Sequence, residues 1–253
     1  MLALAGLPLA AAQGAAGPLP ANIRADYQLG GAYPPPDGVN VVARDSTEDP
    51  VPGLFNICYV NGFQSQPGSN WPRNLVVKTA DGSPLKDPNW PDEFLLDISS
   101  KKQRKANLAL LLPVIAACAK KGFNAVEFDN LDSYTRSEGH LTLENAVAFA
   151  TLLVKAAKAS GLSAAQKNLS ELGTRGRDNI GFTFAIAEEC HRWDECQAYK
   201  DVYGTQVIDI EYTDDLRGSF AKVCADPATP KATILRDRLL LPAAAKGHVY
   251  QRC

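Results

Sequence analysis

Eight short apolar runs, spaced by helical patterns and polar turns, constrain this chain more than any other feature. They are ADYQLGG (25–31), LFNICYV (54–60), EFLLDIS (93–99), NAVEFDN (124–130), SAAQKN (163–168), FTFAIAEE (182–189), QVIDIEY (206–212) and ATILRD (232–237). Strands alternating with helical segments are the rhythm of a parallel sheet with crossover helices. Residues 101–121 have helical periodicity, with Pro113 expected to kink the helix or restart it. The pattern over 143–160 is cleaner: Thr142 suits the N-cap, Glu144 the first turn and Gly161 the stop. Neither an internal repeat nor a linker follows residue 21, so residues 21–253 are expected to form one α/β domain, a (β/α)8 TIM barrel.

In such a barrel each strand shows one side to the interior and the other to the helices, and functional groups gather at the C-terminal strand ends. AVEFDNLDSY, residues 125–134, places Glu127, Asp129 and Asp132 within ten residues. Alternation sends Val126 and Phe128 toward the helices and Ala125, Glu127 and Asp129 inward, with Asp129 at the mouth. On the seventh run the same reading puts Ile208 and Ile210 outside and Asp209 and Glu211 inside. Asp97 ends the third run, Lys167 and Asn168 close the fifth, and Glu188 and Glu189 close the sixth. On that sixth run the bulky Phe182, Phe184 and Ile186 are expected to face the helices. Strict alternation then turns Glu189 inward, and a bulge would turn Glu188 inward instead, so the choice between these two acids stays open.

Each acid also has a purely structural reading. Glu127 lies one layer deeper than Asp129 and reads as a buried partner of Lys167, because deep charges persist when paired. Asp97 could cap the following helix, and Asp132 could be solvated surface. For Asp129 the convergence of several carboxylates on one mouth favours function, since like charges gathered there shift each other's proton affinity.

The net charge of −2 leaves no electrostatic footprint for nucleic acid or an anionic membrane. The opening MLALAGLPLAAAQGAAGPLP is apolar and free of charge but lacks a basic n-region, so residues 1–20 read as a remnant of a secretory signal or an Ala-rich tail. Six cysteines suit an exported, disulfide-bonded protein. Proximity pairs Cys190 with Cys196 and Cys224 with Cys253, which leaves Cys58 for Cys118. No CxxC occurs, and His140, His191 and His248 have no zinc-site spacing, so neither a metal nor another cofactor is expected.

The stretches VEFDNLDSYTRS, AAQKNLSELG, FTFAIAEECHRWDEC and VIDIEY, in that order, resemble glycoside hydrolase family 114, the endo-α-1,4-polygalactosaminidases. The resemblance runs from about Tyr27 to Tyr212, with departures at Phe128 and Ala187. It implies a secreted enzyme that hydrolyses α-1,4-linked galactosamine-containing exopolysaccharide on a TIM barrel, with Asp129 and Glu188 as the catalytic pair. Asp129 then serves as nucleophile, assisted by Asn130 and Lys167, and Glu188 as acid/base. Around them Asp97, Asp132, Asn168, Glu189 and Glu211 are expected to bind substrate, the acids suiting free amines. Tyr33, Tyr59, Trp71 and Tyr212 are candidate stacking platforms for sugar rings. Two other readings are a carbohydrate-binding protein on an inactive barrel and a metal-dependent deacetylase. Two carboxyl groups roughly 5 to 10 Å apart across a cleft would separate hydrolysis from binding alone. The scattered histidines weigh against the deacetylase.

Overall fold

The computed structural model describes residues 17–253. The opening Ala-rich segment lies, up to residue 16, outside the described residues. Eight parallel strands follow one another around a sheet in chain order: β1 (Ala25–Gln28), β2 (Val41–Asp45), β3 (Phe55–Asn61), β4 (Ala125–Asp129), β5 (Ser163–Lys167), β6 (Phe184–Glu188), β7 (Val207–Tyr212) and β8 (Ala232–Arg236). A short β9 (Tyr250–Arg252) lies antiparallel on β8. This is a TIM-barrel architecture in one domain. At the seam between β8 and β1 side chains replace a backbone ladder. Arg236 donates to the Tyr27 carbonyl and to Asp26, and the Tyr250 hydroxyl reaches the Ala25 carbonyl at 2.9 Å.

The helical shell covers only part of the barrel. Helix α1 (Lys101–Lys121) leads into β4, α2 (Leu143–Ala159) into β5, α3 (Cys196–Tyr203) into β7 and α4 (Phe220–Ala225) into β8. Thr142 and Asn145 form a reciprocal capping box at the start of α2, and the chain leaves it through Gly161 at φ 78°. Pro113 lies inside α1, which continues past it without a break. It is on the solvent side, so water can satisfy the carbonyl that proline leaves without an amide partner.

Two sequence expectations about strands change. The run 93–99 is no strand but part of the long β3–α1 connection, where isolated bridges join Gln64 to Leu95 and Val76 to Leu96. The second strand is instead VVARD, whose Arg44 is buried against Gln28, the Asp49 carbonyl and the Tyr33 carbonyl. The barrel therefore has eight strands with a different second member.

Phe182, just before β6, packs beneath the helices as expected, but the facing of β6 itself and of β7 is the reverse of the expectation. Tyr27, Val41, Ile57, Phe184, Ile186, Ile208, Ile210 and Ile234 form one buried cluster, the barrel interior. Ala185, Ala187 and Val207 join the cluster beneath the helices instead. Small alanines let the shell approach β6 closely, while bulky side chains fill the interior. With Phe184 and Ile186 inside, ordinary alternation carries Glu188 inside too, and no bulge is needed. On β7 the same register turns Asp209 and Glu211 away from the interior. The fourth strand follows its expectation: Val126 and Phe128 pack under the helices and Ala125 lies in the interior.

Three disulfides close the structure, Cys58–Cys118, Cys190–Cys196 and Cys224–Cys253, and no described cysteine is free. Among the described residues no helix is long and apolar enough to cross a membrane.

Candidate active site

Lys167, the last residue of β5, is the hub of the C-terminal mouth. Its ammonium group lies 3.1 Å from Glu127 Oε1, 3.2 Å from Asp129 Oδ1 and 3.2 Å from Glu188 Oε2, and its side chain is only 2% exposed. A buried lysine can stay charged only if its surroundings replace water, and here three carboxyl groups do so. Burial alone would lower its proton affinity; Asp129 and Glu188 more than reverse this and hold it well above the ordinary lysine range.

The neighbours of each carboxyl group separate their roles. Glu127, fully buried, accepts from the Tyr27 hydroxyl at 2.7 Å, and its Oε2 has no partner. Burial pushes its pKa up to about 7 against the pull of Lys167. Asp129 accepts from the Tyr59 hydroxyl at 2.7 Å and from the Asn130 amide at 2.7 Å. Burial would raise it, but Lys167 and these two donors outweigh burial and hold it below the ordinary aspartate range. Glu188 accepts from Asn168 Nδ2 at 3.1 Å and from the Tyr212 hydroxyl. Asn168 Oδ1 in turn receives the Glu188 amide at 2.8 Å, which ties the ends of β5 and β6 together.

A shared backbone device aims these groups. Asp129, Lys167 and Glu188 are each the last residue of their strand, and each is followed by a left-handed residue: Asn130 at φ 64°, Asn168 at φ 50° and Glu189 at φ 60°. Asparagine tolerates that region, whereas glutamate rarely visits it. Glu189 is held there by Arg238, whose guanidinium donates to both of its carboxylate oxygens at 2.8 and 3.2 Å. Arg238 also stacks 4.1 Å over the Tyr212 ring. The turn after β1 approaches the β8 loop so closely that a Cβ on Gly30 would meet the Leu239 and Leu240 carbonyl oxygens at 2.5 and 2.6 Å.

These groups open onto a cleft of about 790 Å³. Of the residues expected to form a site, Tyr59, Asp129, Asn130, Asp132, Lys167, Asn168, Glu188, Glu189 and Tyr212 all line it. Four others do not. Asp97 precedes α1, accepting from Ser99 and Gln103, with Ser100 as the N-cap, so it organises a helix start. Glu211 points behind the barrel wall, where it accepts from the His191 and Arg192 amides. Tyr33 is buried, donating to Asp26 at 2.9 Å. Trp71 is likewise engaged elsewhere, with Asn107 at 2.9 Å. Asp132 lines the cleft but is bound by Arg136 at 2.7 Å, which spends much of its charge.

Sequence reasoning missed Asp87, Trp90, Glu93, Arg136, Trp193 and Arg238, which line the cleft from the connections between strands and helices, Arg136 from a 3-10 turn. Loops carry no periodicity, so the one signal in the sequence was a tryptophan set in a polar segment; in the structure Trp90 is 54% and Trp193 57% exposed. Cys190 and Cys196 lie near Asp209, but their sulfurs are joined to each other.

Chemically, the mouth presents two carboxyl groups at one ammonium, hydrogen-bonded by tyrosine and asparagine and open to a polymer-sized groove. Because Asp129 Oδ1 and Glu188 Oε2 both lie 3.2 Å from Lys167 Nζ, these oxygens are no farther apart than twice that distance. Such a pair is the equipment of acid-assisted glycosidic cleavage.

Comparison with known proteins gives the same direction. The model of glycoside-hydrolase family GH114 matches residues 6–253. Among solved structures, Ega3 of Aspergillus fumigatus, in complex with galactosamine, matches with a TM-score of 0.71 at 20% identity, covering 95% of this chain and 97% of that one. The glycoside hydrolase domain of PelA from Pseudomonas aeruginosa matches with a TM-score of 0.56 at 16% identity, covering 88% and 96%. No curated protein sequence matches the chain.

Proposed function

Because this chain belongs to glycoside hydrolase family GH114 and is a glycoside hydrolase, we propose that it cleaves an α-1,4-linked galactosamine-containing exopolysaccharide, with Asp129 and Glu188 dividing the two carboxyl roles. The observation that carries this reading is the pair of carboxyl groups held 3.2 Å from the one Lys167 ammonium at the floor of the cleft. Ega3 was solved with galactosamine, and the negative groups lining the cleft suit a sugar that carries an amine.

Asp129 has the surroundings of a nucleophile: the Tyr59 hydroxyl, the Asn130 amide and Lys167 keep it ionised. Glu188 gives a proton to the leaving oxygen as Asp129 forms a bond to the anomeric carbon. Once Asp129 is an ester it no longer carries charge, and Lys167 remains paired with Glu188 and Glu127. Glu188 then takes a proton from water as the ester is hydrolysed. Closely placed carboxyl groups favour this double displacement, typical at about 5–5.5 Å, over the wider spacing of about 6.5–9.5 Å that leaves room for water. The disulfides suit an oxidising, extracellular location, and secretion is part of the proposal.

The test is incubation with partly deacetylated galactosaminogalactan and analysis of released oligosaccharides. Wild type should release them, and Asp129→Asn and Glu188→Gln should not, with folding retained. Binding without release by the wild type would move the chain to the carbohydrate-binding reading.

A further inference from the structure

The β3–α1 connection builds one wall of the cleft and ends it in a compact hairpin, residues 87–93. Asp87, 1% exposed, organises the hairpin: it accepts from Gln64 at 2.7 Å, Arg136 at 2.6 Å, the Asn89 amide at 2.8 Å and the Trp90 amide at 3.2 Å. The Glu93 amide returns to the Trp90 carbonyl at 2.9 Å, and the Asp87 amide to the Glu93 carbonyl at 3.0 Å. Trp90 therefore stands on a rigid base yet is 54% exposed, lining the cleft.

Glu93 is the unexplained group of this hairpin. It is 8% exposed and lines the cleft; its Oε2 accepts from Asn61 at 2.7 Å, and its Oε1 has no hydrogen-bond partner among the described residues. The nearby cation, Arg136, is already committed to Asp87, Asp132 and Asn130. Asp87 and Asp129 add negative charge. Burial, with those two charges and against the Asn61 bond and Arg136, pushes the Glu93 pKa up to about 7. A carboxyl group buried beside two acids without a cation of its own is costly, and it faces a groove in which a ligand could supply the missing charge.

We propose that the 87–93 hairpin is a subsite for a charged amino-sugar residue, with Glu93 receiving the ammonium group and the Trp90 ring stacking on the sugar. It deepens the galactosamine reading and rests on it. The indole face suits both the C–H face of a pyranose and a neighbouring ammonium. Glu93 enters the subsite partly protonated, so docking of the ammonium expels a proton.

The experiment compares galactosamine oligosaccharides with their fully N-acetylated counterparts. Glu93→Gln should raise KM for the amine substrate by about ten-fold or more, the worth of one charge-assisted hydrogen bond, and leave kcat within about three-fold. KM for the acetylated substrate should stay unchanged. Trp90→Ala should raise KM for both. Calorimetry near pH 6 in buffers of different ionisation enthalpy, in the Glu188→Gln background, should find proton release on binding galactosamine oligosaccharides, and adding Glu93→Gln should remove it. Equal KM changes on both substrates, or proton release that persists without Glu93, would overturn the subsite. Wild type that neither binds nor cleaves the amine substrate would instead refute the substrate reading and the subsite with it. A thermal melt of Glu93→Gln matching wild type ties any KM change to recognition.

Discussion

Replacing Lys167 by methionine, which keeps most of its length and removes its ammonium group, tests how the site is held together. The ammonium is buried and touches Glu127, Asp129 and Glu188 within 3.2 Å. Removing one partner of a buried ion cluster typically costs about 3–5 kcal/mol, because the remaining charges stay desolvated. For a chain of this size that corresponds to a fall in melting temperature of about 6–20 °C at pH 7. The loss should depend on pH with a definite sign. Asp129, depressed in the folded state, contributes stability above the unfolded aspartate pKa that disappears as pH falls; without Lys167 this contribution goes. Glu127 sits at about 7 when folded, so the fold prefers it protonated and loses stability as pH rises from the ordinary glutamate range through 7; without Lys167 that loss grows. Both effects make the difference between wild type and Lys167→Met largest near pH 7–8 and smallest near pH 4. Urea titrations across this range measure it, and adding Glu127→Gln should restore part of the loss at pH 7. A penalty below about 1 kcal/mol at pH 7, or one independent of pH, would refute the idea that Lys167 neutralises this cluster.

Glu188→Gln should lower turnover by about a thousand-fold, whereas Glu189→Gln, which removes only an Arg238 partner, should keep more than about a tenth of it; steady-state kinetics distinguishes the two. Asp209 and Glu211 form a second acid pair behind β7, both raised by burial and Asp209 further by its neighbour. Their folded form prefers the proton, so stability declines as pH rises above the ordinary carboxylate range, and Asp209→Asn should flatten that decline in pH-dependent melts. The Cys58–Cys118 bridge spans 60 residues and Cys190–Cys196 only 6. Removing the first with paired serines should cost about 4 kcal/mol and removing the second about 2 kcal/mol in denaturant titrations, if the chain-entropy account holds.

How far the sequence revealed this site depended on where each residue comes from. The fourth strand was legible because its acids alternate with Val126 and Phe128, leaving one self-consistent facing. On β7, and on β6 from Phe184 onward, periodicity correctly grouped residues that share a face but not which face lies inside; Phe182, just before β6, packs beneath the helices. Phe184 and Ile186 go inward because the interior needs volume and the shell needs the small alanines. The same ambiguity turned Glu211 away from the cleft. The run 93–99 imitated a strand through its buried Leu95, Leu96 and Ile98, which pack in the outer layer without a continuous ladder. VVARD carries an arginine at its fourth position, which local pattern does not mark as buried, and only the fold shows the three acceptors of Arg44. Glu93, Arg136 and Arg238 reach the cleft from connections whose path no local pattern encodes.

If Asp129 attacks the anomeric carbon while Glu188 transfers the proton, as proposed, the stereochemistry of the first-formed product reports it without ambiguity. Proton NMR of the reducing-end signal, recorded before mutarotation during hydrolysis of an α-1,4-linked galactosamine oligosaccharide, should show the α anomer appearing first, as double displacement requires. Initial appearance of the β anomer would rule out that role for Asp129, since it would mean that water attacks the sugar directly.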